Sequence, residues 1–331
     1  MRIGPAAGDY QRQFHPYRAF VARAWSGFQP PLWNPHQLAG TPALADPQQA
    51  ALYPLRLPQA LLALAFDPLP LWALDLELLL HLALAAWGTA LLLGRLGAAP
   101  PARALGGIAF GLGGYLTGYP VQQLAILDTA AWFPLVFWAL VEWMRPDAGR
   151  TQLRRLLVLS LMPLLAGHPQ TALFGFYGAT AWALVLGRRQ RLPALDLGRR
   201  LSQWLLGTAG LGALQWLPAA DFLRRSARQL SDAEVAAGLP LADSLQLLAP
   251  GRLSHWSPLY VGIPTLILAL WAWRRAREAR FFLGLAAAGW LWSLGGNQPL
   301  FPLLRRLPGL DWFRHQERAA LLWSFGLAVA A

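Results

Sequence analysis

Residues 71–94 read LWALDLELLLHLALAAWGTALLLG, with Asp75, Glu77 and His81 as the only ionisable side chains and all three in the first half. A bilayer core of ~30 Å is crossed by roughly 20 apolar residues in a helix, so this stretch has the length and chemistry of a transmembrane span. Comparable apolar runs recur at 104–119, 123–143, 156–167, 170–187, 201–219, 258–273, 281–295 and 319–331. The expected fold is all-α: a polytopic transmembrane helix bundle over residues 71–331, built from about nine segments. Residues 1–70 form a loop with amphipathic helices, including a short apolar piece at 57–66, and 220–257 form a second loop on the same side.

Composition agrees with that class. The chain has 331 residues, 56% hydrophobic and 13% charged, against about 25% charged in soluble domains. Every Lys-or-Arg position is arginine, and the net charge is +12. The arginines fall in short clusters between apolar runs, not along one polar face, which argues against a nucleic-acid partner. Absence of cysteine excludes disulfides, thiolate metal sites and cysteine nucleophiles.

Arginine in short loops favours the cytoplasmic side of a membrane. The clusters are Arg95 and Arg103; Arg145, Arg150, Arg154 and Arg155; Arg188, Arg189, Arg191, Arg199 and Arg200; and Arg274, Arg275, Arg277 and Arg280. One alternation of spans puts all four inside and residues 1–70 outside. It requires 156–187 to be a short hairpin broken at Gly167-His168-Pro169, where proline removes a backbone donor. The same alternation exports Arg2, Arg12, Arg18 and Arg23 with no helix before them, and the run at 321–331 stops mid-helix. The expectation is a chain cut from a longer one.

Several motifs resemble a known family. Gly8-Asp9-Tyr10-Gln11, Pro31-Leu32-Trp33-Asn34-Pro35, Gly40-Thr41-Pro42, Asp46-Pro47-Gln48 and Leu52-Tyr53-Pro54 are similar to the first outer loop of YfhO-like bacterial membrane proteins. These are placed in the GT-C superfamily of polyprenyl-phosphate-sugar glycosyltransferases. The similarity continues through His81-Leu82-Ala83, Gly106-Gly107 and Ala131-Trp132-Phe133-Pro134-Leu135, and ends near Phe313-Arg314 and Arg318. The resemblance implies a bacterial cytoplasmic membrane protein with its active face outside. It would move a sugar from a polyprenyl-phosphate donor to a cell-surface acceptor such as a glycan, teichoic acid or lipid. It also implies a helix before the Asp9 loop and more helices after Ala331. Its partners are membrane lipids, the lipid-linked donor and the acceptor. No cofactor is implied, and without a DxD or His-rich set in the first loop neither is a divalent metal.

Asp9 is the candidate catalytic residue, because in the resembled superfamily an aspartate of the first outer loop stands at the reaction centre. An acceptor hydroxyl must lose its proton as it attacks the sugar carbon. The bland alternative is an N-cap of an amphipathic helix over 10–28, which places Phe14, Tyr17, Val21, Ala24, Trp25 and Phe28 on one stripe and Arg12 and Arg23 opposite. Gln11, His15, Asn34, Asp46 and Gln48 are the loop's candidate sugar-binding groups, with Asp46 before Pro47 equally a turn residue. His168 and Gln170 at the hairpin tip, with Gln122 and Gln123 as weaker analogues, would face a cavity or bind backbone freed at Pro169. Arg314 and Arg318 are candidates for the donor phosphate, which a guanidinium grips bidentately; pairing with Asp311 or Glu317 is the alternative. Acids inside spans, Asp75, Glu77 and Asp128, also mark proton pathways. They keep open a transporter or flippase of lipid-linked sugars, beside a non-catalytic assembly factor.

Overall fold

A computed structural model describes residues 8–227, 229–251 and 256–331; Arg2 and Arg228 lie outside them. The chain is all-helical. Its one β feature among the described residues is an isolated antiparallel bridge, Asn34 to Thr41.

The first loop opens with a π-turn, Tyr10–Phe14, that runs into α1, His15–Ser26. The helix stops two residues short of the expected end, and Phe28 falls in the exposed loop beyond it. Phe14, Tyr17 and Val21 are buried as the stripe requires, while Arg12 and Arg23 are exposed. The second helix, α2 (Arg56–Ala63), is inverted: Arg56, Gln59 and Ala60 are buried, whereas Leu57, Leu61 and the following Leu64 are exposed.

The helical body follows. Its elements are α3 (Trp72–Arg95), α4 (Pro100–Gly111), the single turn α5 (Gly114–Thr117), α6 (Leu124–Ala130), α7 (Phe133–Trp143), α8 (Arg150–Leu165) and α9 (Pro169–Arg189). Next come α10 (Ala194–Leu211), α11 (Ala213–Arg225), the short α12 (Asp232–Ala236), α13 (Ile263–Ala272), α14 (Arg277–Ser293), the turn α15 (Phe301–Leu304) and α16 (Ala320–Ala330). Prolines at the first or second position start α4, α7, α9 and α13, where no intrahelical N–H bond is lost. Where α4 crosses α3, Gly107 permits contact that a Cβ would forbid, since it would sit 2.7 Å from the Ala86 carbonyl oxygen. Phe325 meets Phe110, Phe137 and Phe282 edge-to-face, and Phe137 and Phe282 are tilted against each other, in one cluster inside the body.

Among the described residues two helical stretches are long and apolar enough to cross a membrane, Trp72–Arg95 and Leu124–Trp143, each with mean hydropathy 1.8. This is fewer than the about nine segments read from the sequence. Several of the others carry arginine in their own first two turns, as α8 does at Arg150, Arg154 and Arg155 and α14 at Arg277 and Arg280. The stretch 104–119 breaks at Gly111–Gly114. The hairpin at Gly167-His168-Pro169 is present, but its arms are longer than 156–187 allowed, because the polar residues from Arg150 are already helical.

Contacts sort the connections onto two ends. At one end the first loop meets the hairpin tip, Gln215 donates to the Leu44 carbonyl (2.9 Å), Gly114 N donates to the Tyr260 carbonyl (2.9 Å), and Leu239 N donates to the Ser293 carbonyl (2.8 Å). At the other, Arg95 binds Glu142, Arg200 donates to the Trp143 and Pro146 carbonyls (2.5 and 3.1 Å), and Arg189 pairs with Glu278 (2.7 Å).

Candidate functional site

Asp9 begins the π-turn, yet its side chain makes no capping bond. It is exposed and accepts a hydrogen bond from Gln123 Nε2, at the entry to α6. The next residue, Tyr10, is buried and donates to Asp75 at 2.6 Å, which pins the turn to α3. One turn on, Gln13 donates to the side chain of Gln48. Gln48 follows Pro47 in a single 3-10 turn that Asp46 caps, accepting from Gln48 N at 3.0 Å. Burial raises the Asp46 carboxyl above the usual carboxylate range, and burial followed by the Asp46 charge pushes Tyr17 up to about 12.

The hairpin tip closes on the same turn. Gly167 holds φ +110°, and a Cβ there would stand 2.5 Å from the Pro47 carbonyl oxygen, so only glycine admits this approach. His168 is buried and caps α9, with Nδ1 accepting from Thr171 N at 3.1 Å, while its own N–H donates to the Thr129 hydroxyl at 3.2 Å. Gln170 donates to the carbonyls of Arg314 and His315 (2.8 and 3.2 Å) and accepts from Arg318 Nη1 at 2.7 Å. Arg318 Nε is shut off from solvent without a partner. Arg314 is half-exposed and faces Glu234 at 3.6 Å, not Asp311 or Glu317; those pair with Arg305 and His315.

Of the residues singled out by sequence, Asp9 bonds Gln123, Gln48 bonds Gln13 four residues on from Asp9, and Gln170 bonds Arg318; Gly167 brings the hairpin tip that carries His168 and Gln170 against the Gln48 turn, with Asp46 behind Gln48. Gln11 flanks Asp9 and is half-buried. His15 and Asn34 have partners within the loop: His15 Nε2 lies 2.6 Å from the Leu69 carbonyl, and buried Asn34 bridges Thr41 and accepts from His36 N. Among the described residues no cluster of three or more His, Asp or Glu side chains has metal-ligand spacing.

Sequence reading missed what fixes this loop in place. Arg18, fully buried, donates from Nε to Glu77 (3.2 Å), from Nη2 to Asp128 (3.2 Å) and from Nη1 to the carbonyls of Gln48 (3.1 Å) and Gln49 (3.3 Å). Arg56 donates to both Glu77 oxygens (3.0 and 2.5 Å) and to Gln59 (2.6 Å), and Gln59 donates to Glu77 (2.7 Å). Around them Trp132 donates to the Tyr53 hydroxyl, which meets His81 Nε2, while His81 Nδ1 bonds the Glu77 carbonyl. Asp128 Oδ1 sits 3.2 Å from that same Nδ1 with no bond of its own. Two guanidinium groups face two carboxyl groups away from water, so charges balance; Glu77 is fully engaged, while Asp128 Oδ1 and Arg56 Nε lack hydrogen-bond partners. The inverted pattern of α2, with Arg56 and Gln59 on one face and leucines on the other, was the signal that could have found it. No family model, no curated protein and no solved structure matches the chain, so its function has to come from the chemistry of these side chains.

Proposed function

We propose that the chain is a multi-pass protein of a bacterial cytoplasmic membrane, with the first-loop end outside. There it transfers a sugar from a polyprenyl-phosphate donor to a surface acceptor, as its resemblance to YfhO-like GT-C proteins implies. The membrane reading is supported by α2, whose leucines face outward and whose Arg56 and Gln59 face inward, an arrangement that favours an apolar surrounding. Exposed Leu76, Leu79, Leu80 and Trp87 on α3 support it as well. The arginine-lined end supports this orientation.

The observation that carries the transferase reading is the placement of Asp9. It is an exposed carboxylate on a loop bolted down by the Arg18 network, at the same end of the body as the Gln48 turn and the hairpin tip, where Gln170 binds Arg318. In the proposed step Asp9 accepts the acceptor hydroxyl proton. The acceptor oxygen bonds to the anomeric carbon, and the bond from that carbon to the phosphate oxygen breaks, its electron pair leaving with the polyprenyl phosphate. Arg318, a half-buried guanidinium at the same end, steadies the charge on the phosphate.

The test is sugar transfer in membranes supplied with radiolabelled polyprenyl-phosphate hexose. Because the Asp9 side chain caps nothing, Asp9→Asn should leave expression intact and cut the rate by ~10²–10⁴. Wild-type transfer by Asp9→Asn would remove Asp9 from the chemistry. Orientation is read separately: with no native cysteine, a cysteine at exposed Ser231 should react with an impermeant reagent in intact cells, and one at Ala148 should not. A flippase remains the second reading because Glu77, His81 and Asp128 lie buried on the helices; it predicts loss of lipid translocation in Asp128→Asn with Asp9→Asn unaffected.

A further inference from the structure

Three helices, α13, α14 and α16, border an open groove of about 620 Å³ that runs along α13 to Arg274, beside the arginine-rich end of the body. Its walls are Leu266, Leu270 and Trp271 from α13, Leu283 from α14, and Trp323 and Leu327 from α16. Apolar lining of this size suits a hydrocarbon chain. The groove is not neutral throughout, however. Arg274 lines one end of it, and Arg275 is stacked on the outer wall, its guanidinium 3.9 Å from the Trp271 ring centre. Among the described residues neither arginine has a carboxylate partner, unlike Arg95 and Arg189 on the same end, which pair with Glu142 and Glu278. Leu270 and Trp271 are themselves more than half exposed.

A groove that is apolar along its length and cationic at one mouth matches a molecule with an apolar tail and an anionic head. We propose that it holds one anionic phospholipid, an acyl chain lying against Leu266, Leu270 and Leu327 and the phosphate meeting Arg274 and Arg275. Basic pockets between helices on the cytoplasmic side are suited to anionic head groups. A plain apolar helix would fill the same groove but would leave both guanidinium groups without an anion. The inference rests on the membrane placement proposed above and not on sugar transfer.

The two can fail separately. Carbonate washing of membranes comes first: release into the supernatant would refute the membrane placement itself. Protein kept in the pellet is then purified in detergent and offered equal amounts of phosphatidylglycerol and phosphatidylcholine, with retained lipid read by native mass spectrometry. We expect phosphatidylglycerol to be preferred. We expect R274Q/R275Q to lower its retention by roughly 30-fold, about fivefold per arginine near a charged surface, and R274K/R275K to keep most of it. Equal retention of the two lipids, or R274Q/R275Q binding like wild type, would overturn the proposal. If R274Q/R275Q cannot be purified, Ala287→Phe decides, because it narrows the groove and leaves both arginines in place. Unchanged phosphatidylglycerol retention in that variant overturns the site.

Discussion

Arg18 and Arg189 carry the same guanidinium group at opposite ends of the helical body, and their surroundings could hardly differ more. Arg18 is fully buried, and each of its three nitrogens donates to an acceptor drawn from α3, α6 or the Gln48 turn. Arg189 is partly exposed and pairs with Glu278 on one side, while its neighbours Arg188 and Arg191 have no carboxylate partner among the described residues. At the first-loop end arginine is a structural bolt that joins segments distant in the chain. At the other end it is a charged rim whose value lies in how many there are and which way they face. A count of arginines per loop treats both alike and sees only the second kind.

The largest difference should appear on removing one bolt. Arg18→Met leaves Glu77 and Asp128 short of a partner inside the protein, and breaking a buried pair in this way costs about 3–5 kcal/mol. Thermal melting of the detergent-extracted protein should fall steeply or the protein should fail to accumulate. Arg18→Lys should rescue little, because one ammonium cannot reach two carboxylates and two carbonyls together. Arg188→Met, at the rim, should stay within ~0.5 kcal/mol of wild type. Equal behaviour of the two would erase the distinction.

A smaller but still local loss is expected at Gly167. Alanine there would be strained at φ +110° and would press on the Pro47 carbonyl, a cost of about 1–3 kcal/mol. The hairpin tip would have to move off the Gln48 turn. Sugar transfer should therefore fall more than the melting temperature alone explains. Full activity in Gly167→Ala would show that the tip and the first loop need not touch.

The helices were legible because apolar runs and prolines are local signals. The break at Gly167-His168-Pro169, the entry at Tyr10 and the short α12 with its Ser231–Glu234 capping box all follow from residues within a few positions of each other. The candidate site was legible in part, through motifs that gather Asp9, Gln48, His168, Gln170 and Arg318. What joins them was not. Arg18 reaches Asp128 across 110 positions and Gln170 reaches Arg314 across 144, and no periodicity encodes such pairings. The alternation of spans marked Arg18 only as one of four exported arginines, which says nothing of its burial. For Asp9 the alternative reading as a cap falls away, since its side chain makes no capping bond and its partner is Gln123 from another segment.

Asp46 offers a test with the opposite sign. Burial raises its carboxyl pKa in the folded protein, so its contribution to stability is fully present below the unfolded value and is lost as pH rises through the folded one. Asparagine caps a turn about as well as aspartate and carries no charge to bury. Asp46→Asn should therefore melt higher than wild type at neutral pH, by less than either loss above, and the gap should shrink as the medium is acidified. A variant that melts lower at neutral pH would mean that the charge on Asp46 is being used, with Tyr17 beside it as the group to examine next.

The smallest effect is expected at the rim. Arg189 Nη1 donates to Glu278 at 2.7 Å and Nη2 to the Arg277 carbonyl at 3.1 Å, and the group lies over the ring of Trp182. Both charged partners are about a third exposed, and pairs in that setting contribute roughly 0.2–1 kcal/mol. Arg189→Gln should lower the melting point only slightly, and raising salt from 0.1 to 1 M should remove most of that difference, since the screening length falls from about 10 to 3 Å. The same salt step should leave the cost of Arg18→Met almost unchanged, because no ions penetrate to a fully buried pair. Salt response thus separates the two kinds of arginine independently of the size of either loss. A salt-sensitive Arg18→Met would mean that water reaches the network, and that the first loop is held less tightly than its bond lengths imply.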